Sequence, residues 1–306
     1  MLMGRVARLY YEHGLTHQEI ADTLGLSRIR VTRLLAEARS SGMVEITVRA
    51  TDTLFADEEV ALSAAYGVGQ VWIAPDSGDR AKAERAFASV GAEAVASLLE
   101  PGTVTTVGVS AAVARVASAL PITQIGGEFV PACGSTAGLT TGANGHESAL
   151  KFAEHTGGRA HHIPAPLIAA SPESARYSSA DPGVHRALDH AASARLLITG
   201  VGGVEHSAGL LFEAMSEADA TDLRTRGAVG DIAGRFFDAS GQAVDGLLNE
   251  RIVGLTLDQL RAIPVRLGIA HGPEKVGALA TALTHGIFNA LVTDITTARA
   301  LLAARA

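Results

Sequence analysis

Between residues 16 and 39, THQEIADTLGLSRIRVTRLLAEAR, apolar positions recur at helical spacing on either side of Gly25, which predicts two short amphipathic helices joined by a turn. Thr16 with Glu19 three residues later has the form of a capping box for the first helix, and Ser27 stands where the second needs its N-cap. Gly25 tolerates the positive φ of the turn, and Ala21 is small where the helices would cross. On a helical wheel Val31, Leu34, Leu35 and Ala38 share one side of the second helix, with Ile29 and Arg33 roughly opposite and Arg30 and Thr32 on the flanks. The pattern is that of a helix-turn-helix. Ser41-Gly42 ends it, Met43 to Arg49 alternates like a short strand or wing, and residues 50–56 read as a link.

From Asp57 onward alanine-rich helical stretches alternate with short β-rich runs. Strands are predicted at 70–74, 104–110, 122–130, 195–201, 265–271 and 290–293, and helices at about 57–66, 80–99, 111–119, 146–156, 183–192, 273–285 and 294–304. Residues 227–244, GAVGDIAGRFFDASGQAV, read instead as a hairpin turning at Asp238 to Gly241. The alternation predicts an α/β protein: a winged helix-turn-helix head over 1–52, and a Rossmann-like body over 53–306 with a mainly parallel sheet covered on both faces.

Charge sharpens the reading of the head. The whole chain is formally −7, yet residues 1–49 hold seven Arg against five acidic residues, and residues 28–39 hold four Arg and one Glu. An acidic body repels phosphate backbones, so a local basic helix must supply the attraction to nucleic acid. In such units the first residues of the second helix enter the major groove, where arginine pairs with guanine and an apolar side chain meets a thymine methyl. Thr16, Gln18, Ser27, Arg28, Ile29, Arg30, Thr32 and Arg33 are the candidate DNA contacts. The plainer alternative is a solvated basic helix in a small bundle. A single weakly basic head binds poorly, so a homo-oligomer, dimer or tetramer, on symmetric operator DNA is expected.

At 306 residues the chain can bury a large core beside the head without disulfides, and Cys133, its only cysteine, can form none within the chain. Arg5, Arg8, Glu12 and His13 interrupt any signal-peptide core, and no apolar run is long enough to span a bilayer, so a cytoplasmic protein without a membrane partner is expected. No cofactor is expected. The spacing of His146, His155, His161 and His162 matches no standard zinc motif, and no metal is expected either.

In open α/β sheets ligands sit beyond the carboxyl ends of the strands, which directs attention to three loops. Gly108-Val109-Ser110 closes one strand and opens a helix, offering N–H groups and a hydroxyl to an anion. Gly200-Val201-Gly202-Gly203 permits close approach, and His271-Gly272-Pro273-Glu274-Lys275 places Pro273 at a helix start and Lys275 within reach of a phosphate or hydroxyl. Asp231, in apolar surroundings, either accepts from ligand hydroxyls or is hydrogen-bonded for structure, with Arg235 as a potential partner.

The residues resemble a known family, the SorC-type regulators of bacterial sugar metabolism. The resemblance is carried by GLTHQEIADTLGLSRIRVTRLLAEARSSGMVEI at 14–46, ESALKFAEHTGGRAHHIPAPLI at 147–168, GAVGDIAGRFFDASGQAVD at 227–245, and GPEKVGALATAL with NALVTDITTARALL near the C-terminus. It implies an effector domain similar to sugar-phosphate isomerases, a phosphorylated sugar or polyol as ligand, and dimers or tetramers on operator DNA. By the resemblance Gly108 and Ser110 match the phosphate-facing loop, while Asp231 and Lys275 match positions touching sugar and phosphate; Ala111, His146 and Gly202 complete the candidate effector set. This chain has Ala111, Ala112, Val113 and Ala114 where the family commonly has tryptophan, glycine, arginine and threonine, and His146 where it often has asparagine. A differently placed phosphate, or an unphosphorylated polyol, would suit a pocket with fewer donors. Two functions follow: a sugar-responsive transcription factor, or an isomerase-like enzyme with Asp231 as general base and Lys275 as phosphate anchor.

Overall fold

A computed structural model describes residues 2–44, 54–135, 144–204, 211 and 215–305. The chain divides into two compact units, Met1–Asp52 and Thr53–Ala306. In the first, three helices, α1 (Leu2–Tyr11), α2 (His17–Leu24) and α3 (Arg28–Ser40), pack around Val6, Ile20, Ala21, Val31 and Leu35. The predicted local devices are all present. Thr16 and Glu19 form both bonds of the capping box, Gly25 adopts φ 63°, and Ser27 Oγ accepts from the Arg30 N–H at 3.2 Å. Leu34 is only half-buried, while α1, unanticipated in the sequence, supplies the third wall of the core. The expected wing falls mainly on residues 45–49, outside the described residues.

The second unit holds a seven-stranded, all-parallel sheet in the order β1-β10-β9-β5-β2-β3-β4. Its strands are β1 (Gln70–Ala74), β2 (Val104–Val107), β3 (Glu128–Pro131), β4 (Arg159–Ala160), β5 (Leu196–Thr199), β9 (Val265–Ile269) and β10 (Ala290–Asp294). A three-stranded antiparallel sheet, β6 (Gly202–Gly203), β7 (Ala228–Ile232) and β8 (Arg235–Asp238), is inserted between β5 and β9. Both faces of the large sheet are covered, as the apolar strand sequences require. Along β5, Leu196 and Ile198 join Phe87, Phe129 and Phe152 on one side, and Leu197 joins Leu62, Leu279 and Phe288 on the other.

Six of the large sheet's strands fall on predicted runs; three runs are longer than their strands by two or three residues at the ends, and one is cut back most, residues 122–127 being loop and only Glu128–Pro131 strand. The hairpin exists, but β7 and β8 turn at Ala233 (φ 48°) and Gly234 (φ 85°). Two consecutive positive φ values suit the twist of a two-residue hairpin. The Asp238–Gly241 segment forms a second turn, closed by the Gly241 N–H donating to Asp238 O at 2.9 Å.

Arg235 also departs from the alternative considered for it. Its guanidinium is buried and donates to the carbonyls of Leu255, Asn249, Ile252 and Gly254 and to Asn249 Oδ1, at 2.7 to 3.2 Å, rather than to Asp231. It therefore satisfies carbonyls at the end of the short helix Leu247–Arg251 and in the isolated-bridge segment 252–255 that follows it. Replacing Arg235 with Met keeps the apolar stem and strands several buried carbonyls, so a loss of at least about 2 kcal/mol is expected. Urea denaturation of the two proteins checks this; an unchanged midpoint would contradict the assignment.

Candidate functional site

The large sheet reverses its winding between β2 and β5: the chain leaves β2 toward β3 on one side and, after the small sheet, leaves β5 for β9 on the other. Ligands bind beyond the strand ends at such a switch point. There lies a cavity of about 760 Å³, bounded by the segments that follow β1, β2, β5, β9 and β10, and by β7. Two glycines permit it. A Cβ on Gly108 would collide with the Thr199 side chain, and one on Gly200 with the Ser110 hydroxyl, so the segments that leave β2 and β5 approach more closely than side chains would allow.

Ser110, Ala111, Gly202, Asp231 and Lys275 all line the cavity. Ser110 is buried and caps the helix Ala111–Ala119, its Oγ accepting from the Val113 N–H at 3.4 Å. The hydroxyl proton is thereby left to donate, and the first N–H groups of that helix face the same space, an arrangement suited to an anion. Gly108 is not among the lining residues. His146, in the first turn of helix Gly145–Thr156, is not among the lining residues: its Nδ1 is 3.3 Å from the His161 carbonyl and its ring packs edge-on against His162.

Asp231 is the buried carboxylate of the site. Oδ2 accepts from the Gly234 N–H at 3.2 Å, and the other oxygen lies so close to Gly202 that no side chain fits there. Burial pushes its carboxyl up from 3.8 to about 6, while the Gly234 hydrogen bond and the positive charge of Lys275 pull the other way. Lys275 ends a single 3-10 turn, Pro273–Lys275, that leads into helix Val276–Thr284, with Pro273 at its start as expected.

Residues the sequence reading had not singled out complete the wall. Arg80 and Glu84, from helix Arg80–Leu98, and Arg115, which directly follows the apolar run 111–114 in helix Ala111–Ala119, all line the cavity. Arg115 Nε lies 2.8 Å from Glu84 Oε2 without the alignment of a hydrogen bond. Glu84 is 3.8 Å from His271 Nε2, and His271 Nδ1 is 3.4 Å from Asp294 Oδ2. Burial works against the Asp294 carboxylate, but hydrogen bonds from His271 and Thr297 outweigh it and hold the group below its ordinary range. The cationic donors missing from 111–114 are thus supplied by Arg80 and Arg115. The helical repeat of Ala111-Ala112-Val113-Ala114-Arg115 was the signal available for Arg115; nothing local pointed to Arg80 or Glu84.

In the head, Thr16, Gln18, Ser27, Arg28, Ile29, Arg30, Thr32 and Arg33 are all exposed, and Ile29 is 81 % exposed while Val31, Leu35 and Ala38 on the same helix are buried. Thr32 Oγ1 lies 3.1 Å from His17 Nδ1, joining the start of α2 to α3, and Gln18 is turned toward Asp22 at 2.9 Å.

Residues 53–303 match the family model described as "Putative sugar-binding domain", and residues 5–41 match that of Sigma-70, region 4. The chain is 32 % identical to the transcriptional regulator LsrR of Escherichia coli (strain K12), covering 98 % of this chain and 94 % of that protein. It is 30 % identical to LsrR of Enterobacter sp. (strain 638), covering 99 % and 93 %. The crystal structure of the full-length sorbitol operon regulator SorC from Klebsiella pneumoniae superposes with a TM-score of 0.80 at 27 % identity, covering 98 % of each chain.

The raised Asp231 pKa sets a pH dependence. Between about pH 4 and pH 6 the folded protein holds a proton on Asp231 that the unfolded chain has released, so stability falls as pH rises through that window and stays lower above it. Asp231→Asn removes the charge and should flatten that part of the profile, with a gain of about 2–3 kcal/mol at pH 7. Urea midpoints of both proteins at several pH values check this; parallel profiles would show that Asp231 is not the group responsible.

Proposed function

As the chain belongs to the SorC-type family of sugar-binding transcriptional regulators, we propose that α3 reads operator DNA in the major groove and that the cavity at the strand ends binds a phosphorylated sugar or polyol that controls this binding. The regulator relatives span head and body alike, which sets aside the isomerase reading of Asp231 and Lys275. The reading rests on one observation above all: a cavity of about 760 Å³ whose wall brings the buried carboxylate of Asp231 together with the cationic Arg80, Arg115 and Lys275, with Asp76, Glu84, Glu274 and Asp294 beside them. Asp231 accepts from sugar hydroxyls, and Ser110, the amino end of helix Ala111–Ala119 and the cations hold the phosphate. In the head, Arg28, Arg30 and Arg33 supply phosphate and guanine contacts, and Ile29 meets a thymine methyl.

The effector acts by binding one oligomer geometry better than another, so that half-site spacing is matched in one state only. Two or more heads add their contacts, which an acidic chain with one modest basic helix requires.

DNA selected from a random-sequence library by the purified protein, then titrated by fluorescence anisotropy, tests the assignments. Arg33→Ala should weaken binding by about 1–3 kcal/mol, roughly 5- to 150-fold, without altering effector affinity. Asp231→Ala and Lys275→Ala should leave DNA affinity intact and abolish the effector response. Undiminished binding by the Arg33 variant would contradict the orientation of α3, and a wild-type response in both pocket variants would move the effector elsewhere.

A further inference from the structure

Two imidazoles and one carboxylate converge at the edge of the large sheet, outside the cavity lining. Glu128 opens β3, His161 follows β4, and His190 lies in the last turn of helix Pro182–Ala192. Nε2 of His161 and Nε2 of His190 each lie 2.7 Å from the same oxygen, Oε2 of Glu128. The two rings meet edge to face with centroids 4.7 Å apart, and one donor atom from each of the three residues falls within 4.8 Å of the others.

The donors sit on fixed backbone. Glu128 N–H donates to the Thr103 carbonyl at 3.0 Å and His161 N–H to that of Phe129 at 2.8 Å. Phe129, next to Glu128, is fully buried and stacks on Phe152. The three side chains are 30 to 37 % exposed, which gives an ion a path in and room for water as a further ligand.

We propose that Glu128, His161 and His190 form a binding site for a divalent transition-metal ion of the zinc class, clamping the β3–β4 edge of the sheet to helix Pro182–Ala192. Two neutral imidazoles and one carboxylate are a donor set that zinc takes with water in a fourth position. On binding, each imidazole presents a deprotonated Nε2 and keeps its proton on Nδ1. The ligands stand 33 and 29 residues apart in sequence, so no motif spacing could reveal them.

The full-length protein, dialysed against a chelator, is titrated with Zn²⁺ by calorimetry and with Co²⁺ by visible absorption. One ion per chain is expected, with the d–d bands of a low-coordinate Co²⁺ site and a rise in melting temperature on adding Zn²⁺. His161→Gln and His190→Gln should each weaken binding by at least about tenfold, the lower bound for losing even an outer-shell partner. Glu128→Gln keeps a hydrogen-bonding carbonyl, so its metal-free fold, checked by circular dichroism, should persist while the Zn²⁺-dependent rise shrinks. His146→Gln, in the neighbouring His146–His162 pair, should bind as wild type does. Absence of saturable binding, unchanged binding in both triad histidine variants, or loss in His146→Gln would overturn the proposal.

Discussion

The close approach of the segments that leave β2 and β5, at Gly108 and Gly200, is the constraint on which the site depends. Parallel strands hydrogen-bonded from Thr105–Leu196 to Val107–Ile198 must diverge at their carboxyl ends, one chain leaving toward β3 and the other toward the small sheet and β9. The opening becomes a cavity because Gly108 and Gly200 let Thr199 and Ser110 occupy the space that side chains would take. Ser110 is thereby buried at the mouth of a helix, with its hydroxyl and the helix N–H groups facing inward.

The small antiparallel sheet brings two buried charges to this framework and resolves them in opposite ways. Arg235 is saturated by backbone carbonyls and one amide oxygen, so its charge is fully used in holding residues 249–255. Asp231, across the same hairpin, has a hydrogen bond from Gly234, and burial raises its pKa. A carboxylate kept in this condition faces a cavity with hydrogen-bonding capacity in hand, which a hydroxylated ligand can take up. The first charge is structural and the second is the one we propose for binding, although the sequence places them only four residues apart.

Much of this was legible from local pattern. Capping at Thr16, Glu19 and Ser27, the turn at Gly25 and the exposed Ile29 follow from rules spanning three or four residues, and the head obeys them. Strand runs buried on both faces announced the parallel sheet, and five of the seven candidate effector residues line the cavity, Ser110, Ala111, Gly202 and Lys275 beyond those runs and Asp231 on β7. What escaped depends on contacts between distant segments. Arg80 and Glu84 reach the cavity from a helix whose polar positions look like an ordinary solvated face, and Arg235 finds its acceptors some twenty residues away. His146 adjoins a recognisable segment yet turns to the His161–His162 corner, a choice no periodicity encodes.

The central claim is that the cavity beyond β2 and β5 binds a phosphorylated sugar or polyol as effector. A thermal-shift screen of the full-length protein and its Lys275→Ala variant against sugars, polyols and their phosphates tests it most directly, since a ligand of the native state raises the melting temperature by mass action. The account predicts a rise confined to sugar or polyol phosphates in the wild-type protein and lost in the variant. Equal rises in both proteins, or stabilisation by unphosphorylated compounds alone, would contradict it.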